Sequence, residues 1–163
     1  MSKRIYLVVI SCLVLAANAG AAPTEEQHMM DHEAMQTAPI KDARQMVDFP
    51  VPLREHELAN MRDHLRTLSE IQAALARYDF DGAADLAEKR LGMSSFGLHG
   101  AHEVAPYMPK GMQEAGNAMH HAASRFAIAT QKAAIDRDLG PALGALNEVT
   151  QSCVACHAAY RLR

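Results

Sequence analysis

Residues 112–133, MQEAGNAMHHAASRFAIATQKA, contain the most regular hydrophobic pattern of the chain. The apolar residues recur at alternating steps of three and four, which places them on one face of an α-helix. They are Met112, Ala115, Met119, Ala122, Phe126, Ala129 and Ala133. A seven-residue apolar repeat is typical of helices that pack against other helices. The stretch therefore predicts a long helix at the centre of a helical core.

A second apolar stripe lies upstream and predicts a helix that reaches about Tyr78. Its members recur at steps of three and four, as expected for one buried helix face. They are Leu58, Met61, Leu65, Leu68, Ile71 or Gln72, and Leu75. The residues DFDG at 79–82 interrupt this pattern, and Asp79 or Asp81 can cap a second, shorter helix. That helix is expected to bury Ala83, Leu86, Ala87 and Leu91.

Downstream of residue 133, the sequence predicts one more helix. Asp138 is a candidate cap, and Pro141 falls in the first turn, where proline is tolerated. The inward stripe of this helix comprises Leu143, Leu146, Val149, Cys153, Cys156, His157 and Tyr160. The connection at residues 92–111 is long enough to hold a helical turn of its own. No segment shows strand alternation, so the predicted class is all-α, an antiparallel four-helix bundle.

The N-terminus has the composition of a secretory signal peptide. Lys3 and Arg4 are followed by a short apolar run and then by small residues, so cleavage after Ala19 or Ala21 is expected. The run is too short for a stable membrane anchor. Without it the chain has 14 basic and 19 acidic side chains, a net charge of −5, which disfavours nucleic acid as a partner. The sequence thus predicts export to the periplasm.

Three segments follow from this composition: a signal peptide at 1–21, a flexible leader at 22–52 and a helical domain at 53–163. The leader has four of the seven prolines and no apolar period. It also contains HMMDHEAM at residues 28–35, in which thioethers accompany two imidazoles. Such a ligand set suits copper, so His28 and His32 are candidate copper ligands. An unstructured polar tail is the alternative interpretation of the same segment.

The most specific motif of the chain is C-x-x-C-H, formed by Cys153, Cys156 and His157. Covalent attachment of haem needs two thiols that reach the two vinyl groups of one porphyrin, with an imidazole on the same side to bind the iron. Side chains three and four residues apart lie on the same face of a helix, so Cys153, Cys156 and His157 could all reach one haem. The alternatives are a zinc site, a redox-active cysteine pair and a plain disulfide. The spacing and the predicted export favour one covalent haem c.

CVACHAAYR at 153–161, on the last of four predicted helices, resembles the cytochrome c-prime and cytochrome c556 family. Tyr160 and Arg161 match the aromatic and basic residues that follow the motif in that family. REHELANMRDHL at 54–65 resembles the family's first helix. The resemblance covers about residues 48–163. It implies that Arg54 approaches the haem propionates and that Leu58 occupies the distal side of the iron.

The distal residue decides the predicted chemistry. An apolar residue such as Leu58 implies, by resemblance, an open iron that can bind small gases. Met61 lies about one turn further along the same stripe and could instead bind the iron, which suits electron transfer. His64 is a third candidate on the same side. Arg161, four residues beyond His157, could stack over the proximal face or remain a solvated charge near the helix end.

The sequence predicts a periplasmic mono-haem c-type cytochrome that carries single electrons to a redox partner protein and is not an enzyme. The first alternative is a five-coordinate haem protein that binds small gases such as nitric oxide. The second is a periplasmic copper-handling protein. The family resemblance also implies a homodimer that pairs through the first two helices.

Overall fold

A computed structural model describes residues 41–163. The predicted signal peptide, most of the leader, and the candidate copper ligands His28 and His32 lie outside the described residues. The described part is mostly helical, as expected for an all-α class, with one small parallel sheet. In chain order the elements are β1 (Gln45–Val47), α1 (Val51–Ala76), α2 (Phe80–Arg90), α3 (Ala101–Val104), α4 (Lys110–Asp136), α5 (Gly140–Ala159) and β2 (Tyr160–Leu162). None of these helices is both long and apolar enough to cross a membrane.

The helix starts follow the local signals in the sequence. The Asp79 side chain accepts a hydrogen bond from the Gly82 amide at 2.9 Å and caps α2. The Asp138 side chain accepts one from the Gly140 amide at 2.9 Å, just before α5. Pro141 occupies the first turn of α5, where its missing amide hydrogen costs nothing. The predicted start of α2 at Asp79 is confirmed, and so is the position of Pro141 in the first turn of α5. The N-cap of α5 is Leu139 and not Asp138, and its side chain makes no capping hydrogen bond.

The main hydrophobic core lies among α1, α2, α4 and α5. Its largest fully buried apolar side chains are Ile71, Leu91, Phe126 and Val149. The predicted face of α4 is confirmed, because each member of its apolar repeat is buried or half-buried. The predicted face of α2 is likewise buried or half-buried. The four long helices pack against their neighbours in chain order: α1 on α2, α2 on α4, and α4 on α5.

The buried face of α1 differs from the predicted one by about one residue. Leu58 is 40% exposed and Leu65 is 71% exposed, although both were expected in the core. The buried positions of this helix are instead Glu57, His64, Thr67, Ile71, Ala74 and Leu75. The prediction was wrong for the N-terminal half of α1. An apolar stripe identifies a helix face that avoids water, but it does not identify what packs against that face. Leu143 of α5 is also exposed, and Ala142 is buried in its place.

A short parallel pairing of β1 with β2 was not predicted. Gln45 pairs with Tyr160, Met46 with Arg161, and Val47 with Leu162, and the Arg163 amide donates to the Val47 carbonyl at 3.1 Å. Tyr160 therefore belongs to a strand and not to the last helix. Strands of three residues are too short for alternation to be recognised. The pairing also means that regular structure begins before residue 53, inside the segment predicted as a flexible leader.

A second, smaller hydrophobic cluster fixes this pairing to the helices. Val47, Phe49, Val104 and Met112 are buried together, and Cys156 and Tyr160 pack against them. Gly111 makes room for the Tyr160 ring, because a Cβ atom at position 111 would lie 2.4 Å from the Tyr160 hydroxyl. The last turn of α5, which carries Cys156 and His157, is therefore held between α4 and β1.

Candidate functional site

The three motif residues occupy the last two turns of α5. Cys153 and Cys156 are half-buried and His157 is exposed. The Cys156 carbonyl accepts a hydrogen bond from the Tyr160 amide, and the chain then leaves the helix for β2. Because β2 is paired with β1, the sheet fixes the end of α5 and with it the position of the motif.

Within residues 41–163, α1 packs closely on α2 but not on α5, which leaves a gap between α1 and the motif. A cavity of about 400 Å³ occupies one part of this gap. Its lining is largely apolar and includes Met61, Leu65, Leu68, Met119, Cys153 and His157. The exposed face of α1 thus borders a cavity next to the motif, which accounts for the apolar residues that the core does not bury.

A second cavity of about 490 Å³ adjoins the first and has a more polar lining. It includes Arg54, Leu58, Met61, Cys156, His157 and Arg161. Met61, Cys156 and His157 line both cavities. Cavities of several hundred Å³ are typical of cofactor sites in proteins. The seven residues predicted for the haem site, including Cys153 in the first cavity, are therefore brought together around one gap.

Four arginines, two of which sequence reasoning missed, line the second cavity: Arg44, Arg54, Arg161 and Arg163. Arg44 donates three hydrogen bonds to Asp42: Nε to Oδ1 at 2.9 Å, a terminal guanidinium nitrogen to Oδ2 at 2.8 Å, and the backbone amide to Oδ1 at 3.1 Å. These bonds hold the pKa of Asp42 well below its usual range. Arg161 Nε is buried without a hydrogen-bond partner and lies 3.5 Å from Asp42 Oδ2. The four arginines give the lining of the second cavity positive charge, which suits an acidic ligand.

Both cysteines are free thiols. Burial raises the pKa of Cys153, and burial together with the nearby Cys153 and Glu57 charges raises the pKa of Cys156. The two groups are therefore protonated at neutral pH, and neither is activated as a thiolate. This weakens the alternative of a redox-active pair. Among residues 41–163, no group of three His, Cys, Asp or Glu side chains is arranged to hold a metal ion.

Glu57 is a site residue that sequence reasoning missed. It is only 6% exposed and lines the second cavity together with Cys156. Burial raises its pKa, although a hydrogen bond from Asn60 and the charge of His56 act in the opposite direction. A buried carboxyl next to the motif is unusual, because an ionised carboxylate pays a large desolvation cost. Its neighbour Leu58 had been expected to face inward instead.

The remaining distal candidate, His64, is buried and lines the first cavity but not the second. It forms a cluster with His99 and His120, whose rings come from other parts of the chain. No local spacing in the sequence connects these three residues. Comparisons of the chain with models of protein families, with curated proteins and with solved structures found no match.

Proposed function

We propose that the protein is a mono-haem c-type cytochrome that transfers single electrons in the periplasm. The observation that supports this best is the gap between α1 and the C-x-x-C-H motif, lined by apolar side chains on one side and by arginines on the other. Haem has a matching distribution of polarity, because it is a flat, mostly apolar group with two carboxylates. Haem, when bound, supplies a one-electron ferric/ferrous couple.

The residues around the gap fit such a group by their chemistry. Cys153 and Cys156 provide two free thiols for covalent attachment, and His157 provides an imidazole one residue later. Met119, Leu65 and Leu68 provide an apolar wall that excludes water. Arg54 and Arg161 both line the second cavity, and their guanidinium groups could donate to the propionates. We expect these arginines to favour the acidic edge of the haem on the side of the second cavity.

Met61 is a better distal candidate than Leu58. It is half-buried and lines both cavities, as His157 does, whereas Leu58 is 40% exposed and lines only the second. A thioether ligand raises the reduction potential and suits electron transfer. The alternative function, binding of small gases such as nitric oxide, requires an open iron below Leu58. Leu58 also lines the second cavity, and this position supports the gas-binding alternative.

The four longer helices, α1, α2, α4 and α5, would then form the antiparallel four-helix bundle of the cytochrome c-prime and c556 family. In that arrangement Cys153 packs against the main core, and the gap between α1 and the motif would hold the haem. From the same resemblance we further propose that the protein forms a homodimer through its first two helices. The redox partner would be another periplasmic protein.

Intact-mass analysis tests the proposal directly. The protein is produced with its N-terminal segment in a host that attaches haem to exported proteins, and is purified from the periplasm. We expect one added haem per chain that survives denaturation, because thioether links are covalent. The variant with Cys153→Ser and Cys156→Ser should lose it. A wild-type chain without added tetrapyrrole would refute the proposal.

Absorption spectra then separate the two distal arrangements. With Met61 on the iron, the ferric wild type should be low-spin with a methionine-to-iron charge-transfer band, and Met61→Ala should convert it to high-spin. The matched control Leu58→Ala should leave the band in place. If the wild type is already high-spin and Met61→Ala changes nothing, the gas-binding function becomes the better one.

A further inference from the structure

Three buried histidines meet on the inner side of α1, next to the candidate haem site. His64 belongs to α1, His120 to α4, and His99 to the connection between α2 and α3. Each is less than a tenth exposed. The ring centroids lie 4.6 Å apart for His64 and His99, 5.4 Å for His99 and His120, and 6.3 Å for His64 and His120. Buried imidazoles that serve only as packing are seldom gathered from three elements, because each brings polar nitrogens that need partners.

Hydrogen bonds outside the cluster orient two of the three rings. His120 Nδ1 donates to the Leu91 carbonyl at 2.7 Å, which leaves the lone pair on Nε2. The Ser95 hydroxyl donates to the Gly92 carbonyl at 2.7 Å, so it can only accept from His99 Nδ1, 3.5 Å away. That contact again leaves the lone pair on Nε2. Histidines that bind metals are commonly held in this way, with the other ring nitrogen donating to a backbone or side-chain oxygen.

The connection that carries His99 is also held in place. His56 Nε2 and Asn60 Nδ2, both on α1, donate to the His99 carbonyl at 3.1 Å each. Position 99 is therefore tied to the same helix that carries His64. Burial lowers the pKa of His64 and His99 to about 4 and also lowers the pKa of His120. All three imidazoles are neutral near pH 7, so their lone pairs are free to bind a cation.

The three rings are close together but are not yet arranged around one point. His64 Nε2 lies 3.4 Å from both Nδ1 and Nε2 of His99, so it faces the His99 ring and not the lone pair of either nitrogen. His120 is further away, which agrees with the finding that no three such groups in residues 41–163 are already arranged for a metal. Binding of one ion therefore needs a change in the side-chain torsions of His99 and His120.

The surroundings favour a soft monovalent ion. His99 and His120 line a third cavity of about 160 Å³ together with the thioethers of Met108 and Met112. Imidazole and thioether ligands together suit Cu(I). The buried position also favours a monovalent ion, because desolvation is far less costly for one charge than for two.

We propose that His64, His99 and His120 form a copper site that binds one Cu(I) ion beside the haem gap. The site is separate from the predicted copper ligands of the leader and does not depend on haem attachment. It would give the protein a second metal centre next to its cytochrome site.

The test is a Cu(I) titration in competition with a chromophoric Cu(I) chelator, under anaerobic conditions. The full mature chain is used with His28→Gln and His32→Gln, so that the leader imidazoles do not contribute. The titration is run both on the chain as purified and on the variant with Cys153→Ser and Cys156→Ser, in which no thiol can bind metal. We expect one Cu(I) per chain in both, with at least tenfold weaker binding in His64→Leu.

His121→Gln is the matched control, because His121 adjoins His120 in sequence but is exposed. It should bind Cu(I) as tightly as the parent. Circular dichroism shows whether His64→Leu is folded, and X-ray absorption of the parent, which needs no variant, should show imidazole nitrogens as the main copper ligands. Equal affinity in folded His64→Leu, absence of imidazole scattering, or binding of Zn²⁺ in place of Cu(I) would each overturn the proposal. Since the thiol-free chain is measured as well, a failure of the haem proposal leaves this result unaffected.

Discussion

The histidine cluster makes the stability of the metal-free protein sensitive to mild acid. Burial lowers the pKa of His64 and His99 from the ordinary value of about 6.5 to about 4. The Asp63 charge opposes this shift at both residues, and the His56 charge adds to it at His99. A base whose pKa is lower in the folded state takes up its proton more readily when unfolded. The stability is therefore complete above about pH 6.5 and is lost as the pH falls towards 4.

The size of the effect follows from these shifts. Between pH 7 and pH 5, one such histidine reduces the free energy of unfolding by about 2 kcal/mol. The two do not add fully, because repulsion from His99 is one cause of the lowered pKa of His64. We therefore expect the wild type to lose about 2 to 4 kcal/mol over this range from the pair. The charge of His120 lowers the pKa of both residues further.

Urea denaturation followed by circular dichroism, with a metal chelator present, measures the loss at pH 7, 6 and 5. His64→Leu should lose about 2 kcal/mol less than the wild type between pH 7 and 5, because it takes up one proton fewer on unfolding. His121→Gln should behave as the wild type does, since His121 is exposed. Carboxyl groups titrate equally in all three proteins and cancel in the comparison. Identical losses in His64→Leu and the wild type would show that the buried rings do not govern the acid response.

Three further predictions concern single residues and use the same unfolding measurement. Phe126→Ala should lower the free energy of unfolding by about 3–5 kcal/mol, because the ring is fully buried, whereas Ile128→Ala on the exposed side of α4 should change it by less than about 0.5 kcal/mol. Glu57→Gln should stabilise the protein at pH 7 but not near pH 3.5, since an acid whose pKa is raised by burial loses stability as the pH rises through that pKa; a loss of stability at pH 7 would contradict this. Arg90→Met should cost about 0.5–1 kcal/mol, and less in 1 M salt, because the partly exposed guanidinium bridges Asp63 and Glu70 of α1 to α2.

The sequence was most informative where its pattern was local. The repeat from Met112 to Ala133 identified the buried face of α4, Asp79 identified the start of α2, and Pro141 identified the first turn of α5. These features depend on residues within one or two turns of each other. The candidate site was accessible for the same reason, because Cys153, Cys156 and His157 are close neighbours in sequence.

Other features depend on residues that only the folded chain brings together. The apolar stripe of α1 predicted a core contact, but Leu58 and Leu65 face the gap beside α5 while Glu57 is buried. Hydrophobic periodicity identifies a surface that avoids water and cannot distinguish a protein core from a cofactor cavity. Arg44 reaches the site only through the pairing of β1 with β2, which has too few residues to leave a recognisable pattern.

The pairing of β1 with β2 has a consequence for the order of events during biogenesis. It joins segments near opposite ends of the described chain, whereas most of the other packing joins helices that are close in sequence. Closing so large a loop is entropically costly, so the strands are expected to associate late in folding. Until then Cys156 lacks the cover of the cluster around Val47 and stays accessible. If the proposed haem is attached, its bond to Cys156 would therefore form before the strands associate and cover that side chain.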